Sequence, residues 1–168
     1  MTSLNHVRLS ESPRDHPLLA RTQAVLQNAL SSFEPGSVAL SFADAEDIVL
    51  IDIVHELGLK VDIFSRDTGR LHEETFQYLE TVSKHYRQQI DLVYPDPEGV
   101  LALVKDNDLF SSHLDEHGEC CEAKEVAPSR RKVAGLDAWI TGQRQGQSVT
   151  RGSGPLREED TVFGSAAA

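Results

Sequence analysis

Apolar positions cluster first at residues 38–42, VALSF, a run of strand character placed before the polar turn Ala43-Asp44-Ala45. A helix is expected over residues 46–57, where Ile48, Val49, Leu50, Ile51, Ile53, Val54 and Leu57 make it apolar almost all round, which predicts heavy burial. Gly58 supplies its stop. Upstream, Leu18, Leu19, Val25, Leu26, Ala29 and Leu30 fall on one face of a covering helix over 18–30, and Pro35-Gly36 turns the chain into the first strand. Downstream, strands are expected at 61–65, 90–94 and 138–141, with a helix over 73–86 that turns Phe76, Leu79 and Val82 inward. A short helix is expected near 98–105, irregular chain over 107–119, and a helical piece around the cysteines that breaks or restarts at Pro128 and ends by Gly135. The chain shows no internal repeat. Strand and helix alternate, so the fold class is α/β with a doubly wound, largely parallel sheet. The loops at 43–45, 66–70 and 142–144 would then share one sheet edge, where helix starts favour phosphate or sulfate.

The organisation expected is a loose arm over 1–17, one domain over 18–151 and a polar tail over 152–168 without core signal. At 168 residues, 39% hydrophobic and 26% charged, this is a soluble globular composition. No apolar run is long enough to span a bilayer, and the first 17 residues lack the apolar core of a secretory signal, so a cytoplasmic protein with no membrane partner is expected. The formal net charge of −11 disfavours nucleic acid, whose binding rests on Lys and Arg neutralising phosphates. A small anionic ligand needs cations gathered locally; Arg66, Arg70, Arg130, Arg131, Lys132, Arg144 and Arg151 are the candidates.

Each loop has a functional and a plain structural reading. Ser41 and the amides that follow it can donate to an anion, but Glu46 and Asp47 at a helix start are equally explained by the dipole. Asp67-Thr68-Gly69-Arg70 offers hydrogen bonds to a nucleotide and a charge for its anionic end; the plain reading is a βα turn with Asp67 or Thr68 as N-cap. Thr141-Gly142-Gln143-Arg144 supplies an amide and a planar cationic fork, or is a solvated turn. The chain's two cysteines, Cys120 and Cys121, are adjacent. A bridge between them would close almost no loop, and neighbouring Cα atoms about 3.8 Å apart are tighter than disulfides allow. Iron–sulfur ligation, in which thiolates come as a set of four, zinc held with His113 and His117, or partly buried thiols without a role remain open.

Taken in order, SFADAED, DTGRLHEET, the Pro95-Asp96-Pro97 turn, Cys120-Cys121 and AWITGQR resemble the assimilatory adenylyl-sulfate reductases. These group with phosphoadenylyl-sulfate reductases in the adenine nucleotide alpha-hydrolase-like (PP-loop) superfamily, and the likeness covers roughly residues 20–151. The resemblance implies thioredoxin-dependent reduction of adenylyl sulfate to sulfite and AMP, in sulfate assimilation and cysteine biosynthesis. A cysteine thiolate attacks the sulfur, AMP leaves, and thioredoxin frees sulfite from the S-sulfocysteine. It places Ser41, Phe42, Glu46, Asp47, Asp67, Thr68, Gly69, Arg70, Gly142, Gln143 and Arg144 in the substrate site. It makes Cys120 and Cys121 two of the four ligands of a [4Fe–4S] cluster, the mark of the branch that uses unphosphorylated adenylyl sulfate. A homo-oligomer is compatible with the sequence.

Departures from the pattern shape the expectation. No cysteine follows Cys121, so the family's Cys-x-x-Cys pair and C-terminal cysteine nucleophile are missing, and a truncated chain that does not turn over alone is expected. Asp44 stands where the family favours Gly, and Arg66 where a Leu is usual. Lys124-Glu125 replaces Arg-Lys, which removes a cation between cluster and substrate. Gln145-Gly146 follows Arg144 where a further arginine is usual. The alternative is a non-catalytic adenine-nucleotide-binding homologue. An ATP-dependent adenylyl-transferring enzyme would keep a Ser-Gly-Gly-x-Asp-Ser loop, absent here, and a structural zinc module is the remaining rival.

Overall fold

A computed structural model describes residues 16–111, 121–143 and 156–160. Strands β1 (Val38–Ser41), β2 (Asp62–Arg66), β3 (Ile90–Val93) and β4 (Ala138–Thr141) pair in parallel, in the order β3-β2-β1-β4. Alternate residues of a strand face opposite ways, and the core divides accordingly. Val38, Leu40, Phe42 and Ile63, with half-buried Ile90, Leu92, Ala138 and Ile140, pack on one side against Leu26, Ile51, Ile53, Val54, Leu79 and Val82. Those side chains come from helices α1 (Pro17–Ser31), α2 (Ile48–Glu56) and α3 (Glu73–Tyr86). Ala39, Phe64, Val93 and Trp139 face the other side, where Val133 of helix α5 (Ala127–Val133) packs. Helices on both faces of a parallel sheet make the α/β, doubly wound architecture that the alternation of elements predicts.

Three inward assignments are corrected. Leu18 is 63% exposed, Val49 55% and Phe76 38%. The inward stripe of α3 runs through Tyr78, Leu79, Val82 and Tyr86, and Phe76 lies off it on a helix that turns about 100° per residue. Tyr78 contributes the aromatic contact instead, its ring 5.9 Å from that of Phe42. Val49 shares its outer face with Asp52 and Glu56, both exposed, so α2 is half-clothed rather than enclosed.

Two helices run differently from expectation. Helix α4 (Pro97–Ser111) continues through residues 107–111, and residues 112–119 lie outside the described residues. From Cys121 the chain is helical, passes through a π-type segment (Glu122–Val126) and enters α5 without a break. Pro128 therefore does not end the run. Its ring would crowd a carbonyl one turn back in a regular helix, and the wider turn before it removes that clash. At the far end, residues 156–160 are tied to the sheet: Trp139 Nε1 donates to Asp160 Oδ2 at 2.8 Å, and the Arg157 guanidinium lies 5.5 Å from the Phe33 ring centre. Among the described residues no helix is long and apolar enough to cross a membrane.

Candidate functional site

The carboxyl ends of β2, β1 and β4 lie side by side, because these strands are consecutive in the sheet and parallel. Strands sit about 4.8 Å apart, so the loops leaving β2 and β4 start about 10 Å apart with the β1 turn between them. The chain leaves β1 toward β2 on one side, while β4 lies on the other. The β1/β4 junction is thus the switch point at which open α/β sheets form a crevice.

Asp47 organises the β1 turn. Ser41 and Phe42 are buried at 5% and 3% exposure, and the Phe42 N–H donates to the Phe64 carbonyl at 2.8 Å, closing the end of the ladder. The chain then emerges through exposed Ala43 to Glu46 and enters a single 3-10 turn (Ala45–Asp47) ahead of α2. Asp47, 5% exposed, turns back so that its Oδ2 accepts from the Ala43 N–H at 2.9 Å and the Asp44 N–H at 3.0 Å. These two amides are used within the turn. An anion at this edge has to be met by other groups, a correction to the reading that counted them as donors. Tyr78 pins the turn from α3: its hydroxyl donates to the Ala45 carbonyl at 3.0 Å. Burial first, and then the Glu46 carboxylate, hold the Tyr78 phenol above its ordinary pKa, so it stays a donor.

Gly142 completes the junction from β4. A Cβ there would collide with the Asp47 carboxylate. Its backbone is not left-handed, so the glycine is required for space and not for conformation. Tyr78 and this Asp47–Gly142 approach were not legible in the sequence. The second joins residues far apart in the chain, and no local pattern announces it.

The β2 loop is closed by its own aspartate. Asp67, 6% exposed, accepts from the Gly69 N–H at 2.7 Å through Oδ1, while its N–H donates to the Val93 carbonyl at 3.0 Å. Gly69 sits at φ +76°, a left-handed conformation that suits glycine. Helix α3 starts only at Glu73 with His72 at its cap, so neither Asp67 nor Thr68 is an N-cap. Thr68 is half-buried and Arg70 exposed beside it. An apolar groove of about 580 Å³ adjoins this loop, lined by Gly69, Tyr94, Pro95, Pro97, Val100, Leu101 and Val104.

Gln143 is exposed past the end of β4, and Arg144 lies outside the described residues, as do Cys120, His113, His117 and Arg151. Cys121 is a free, exposed thiol, not a partly buried one. The α5 cations do not converge as a cluster. Arg130 bonds Glu122 at 2.9 Å, Arg131 donates to the Tyr94 carbonyl at 2.6 Å, and Lys132 bonds Asp91 at 2.8 Å. Arg66 ends β2, and Arg70 is exposed in the loop that follows it. Among the described residues no group of three His, Cys, Asp or Glu side chains is disposed to hold a metal ion.

Residues 37–167 match the phosphoadenosine phosphosulfate reductase domain. The chain belongs to that family. An adenosine 5'-phosphosulfate reductase of Pseudomonas aeruginosa (strain LESB58) is 42% identical over 158 residues, covering 90% of this chain and 59% of the relative. The chloroplastic 5'-adenylylsulfate reductase 3 of Arabidopsis thaliana is 44% identical over 140 residues, covering 83% of this chain and 30% of that protein. The chain thus spans about 59% or less of the length of these relatives. The phosphoadenylyl-sulfate reductase of Candida auris, solved as a phosphate complex, superposes with a TM-score of 0.59 at 21% identity, over 83% of this chain and 71% of that one. The likeness in fold places the phosphosulfate reductase sheet seen here among the adenine nucleotide alpha-hydrolase-like (PP-loop) folds.

Proposed function

We propose that this phosphosulfate reductase domain binds adenylyl sulfate, or the product AMP, across the loops that follow β2, β1 and β4. Its reaction is the reduction of adenylyl sulfate to sulfite and AMP with thioredoxin as reductant, in sulfate assimilation. The observation that carries the reading is the adjacency of those loops at a switch point, within a chain whose family match runs from residue 37 to residue 167. The relatives' names support adenylyl sulfate as the substrate.

In this reading Asp47 and Asp67 shape the turns, and cationic and hydroxyl groups meet the ligand. Ser41, Thr68 and Gln143 supply neutral hydrogen bonds, and Arg70 and Arg144 supply charge for the phosphosulfate. The apolar groove beside Gly69 offers a wall for the base, since such sites combine apolar lining with a few polar anchors. A thiolate attacking the sulfate sulfur forms an S–S bond as the S–O bond to AMP breaks. The dithiol of thioredoxin then provides the two electrons that release sulfite. A reducing cytoplasm fits that partner and the free thiol of Cys121.

Cys120 and Cys121 would be two of the four thiolates that a [4Fe–4S] cluster takes. These 168 residues contain no further cysteine, so the donor set is half complete. Binding is the activity assigned to the 168-residue chain itself. Isothermal titration with adenylyl sulfate and with AMP, beside a sulfite-release assay with reduced thioredoxin, tests this. Saturable binding of both nucleotides without sulfite is expected. Absence of adenylyl-sulfate binding refutes the site, and sulfite production refutes the assignment of binding alone.

A further inference from the structure

Arg66 ends β2, one residue before the Asp67 turn. By strand parity its side chain shares the face of Phe64, on which α5 packs. There its guanidinium stands 3.8 Å from the Glu125 carboxylate, with the arginine side chain 33% exposed. That separation is an electrostatic contact too long for a hydrogen bond. The α5 cations differ: Arg130, Arg131 and Lys132 each hold a partner at 2.9 Å or less. Glu125 lies in the π-type segment directly after Cys121, about one helical turn on. Arg66 therefore bridges the β2 nucleotide loop and the helix that carries Cys121, with the donors of its guanidinium fork not spent on Glu125.

We propose that Arg66 reads the anionic tail of the nucleotide, and that Glu125 holds its guanidinium at the sheet edge without consuming it. The inference rests on the adenylyl-sulfate reading above and adds a residue to it. A loose ion pair of this kind keeps the arginine extended toward the edge. An incoming phosphosulfate can take the fork in a bidentate, charge-assisted contact shorter than the one it has.

The test is titration of the wild-type chain and of Arg66→Leu, Arg66→Lys and Glu125→Gln with adenylyl sulfate, AMP and adenosine. Arg66→Leu is expected to weaken adenylyl sulfate and AMP by about tenfold or more while changing adenosine less than about twofold, as loss of one charged contact would. Arg66→Lys should recover part of the loss, and Glu125→Gln, which loosens the hold on Arg66 but leaves its charge, should weaken adenylyl sulfate by less than Arg66→Leu does. Equal affinities of wild type and Arg66→Leu for adenylyl sulfate would overturn the inference. So would equal weakening by Arg66→Leu and Glu125→Gln, since Arg66 would then act only as half of a strut, or a matching loss for adenosine. These results leave the site itself standing, whereas a wild-type chain that binds no adenylyl sulfate removes the site and the inference together.

Discussion

Asp47 and Gly142 offer a direct test of how the junction is built. Asp47→Ala removes the acceptor of two amides bonded at 2.9 and 3.0 Å. Hydrogen bonds to a charged partner contribute about 1.5–3 kcal/mol each. Ala43 and Asp44 are exposed, so water can reach their freed amides, and the lower end applies. The expected loss is about 2–3 kcal/mol. Gly142→Ala acts on the same contact from the other strand. The three heavy atoms nearest its new methyl all belong to the Asp47 carboxylate, and that carboxylate is held by the two amides and cannot swing aside freely. Overpacking of this kind costs about 1–3 kcal/mol.

The two changes should not add. With Asp47 shortened to alanine, the three atoms nearest the methyl at 142 are gone, so Gly142→Ala should cost clearly less in the Asp47→Ala background. The coupling expected is at least about 1 kcal/mol. Urea unfolding of the four proteins reads it, through midpoints that shift at constant m. An equal cost of Gly142→Ala in both backgrounds, or a change of less than about 0.5 kcal/mol on Asp47→Ala, would refute this construction of the junction.

Two further outcomes are expected. Gly69→Ala places a side chain at φ +76° with nothing within 4 Å, so its cost is backbone strain alone, about 1–2 kcal/mol in urea unfolding; a neutral result would mean that the Asp67 turn is not held left-handed. Tyr86 donates to Asp52 at 3.0 Å, and its pKa is pushed up to about 12 from 10.0, by burial first and then by the Asp52 hydrogen bond and charge. A folded-state pKa raised in this way contributes stability that is present below pH 10.0 and lost as pH rises toward about 12. Tyr86→Phe should remove that alkaline decline when unfolding is followed across this range, and an unchanged alkaline limb would show that Tyr86 is not its source.

The sheet was legible because parity and apolar content carry it. Val38, Leu40 and Ile63 against Ala39 and Phe64 sort the two faces, and the observed strands begin and end within a residue of the expected ones. Helix surfaces were less legible. Val49 and Phe76 are apolar and exposed because a helix presents a stripe whose position depends on what it packs against, and composition does not give that. The π-type turn before Pro128 was read as a break because proline removes a donor, although a local widening of the helix accommodates it. In the site, the loops and their adjacency followed from strand order. The contacts that decide which groups remain for a ligand did not: Asp47 with Gly142, Tyr78 with Ala45 and Arg66 with Glu125 each join distant parts of the chain.

Those contacts also resolve how a chain of formal charge −11 can present an edge for an anion. Carboxylates beside a bound phosphosulfate would repel it, and Asp47 and Asp67 both stand at the ends of strands that carry the candidate loops. Yet both are almost fully buried and point at main-chain N–H groups of their own turns, so amide dipoles offset their charge and the cost of a nearby anion falls. Arg66, which ends β2, stands outside the hydrogen bonds that close those turns. Removing either aspartate would thus weaken anion binding by loosening a turn, despite deleting a negative charge. The sign of that effect separates a site built on turn geometry from one governed by net charge.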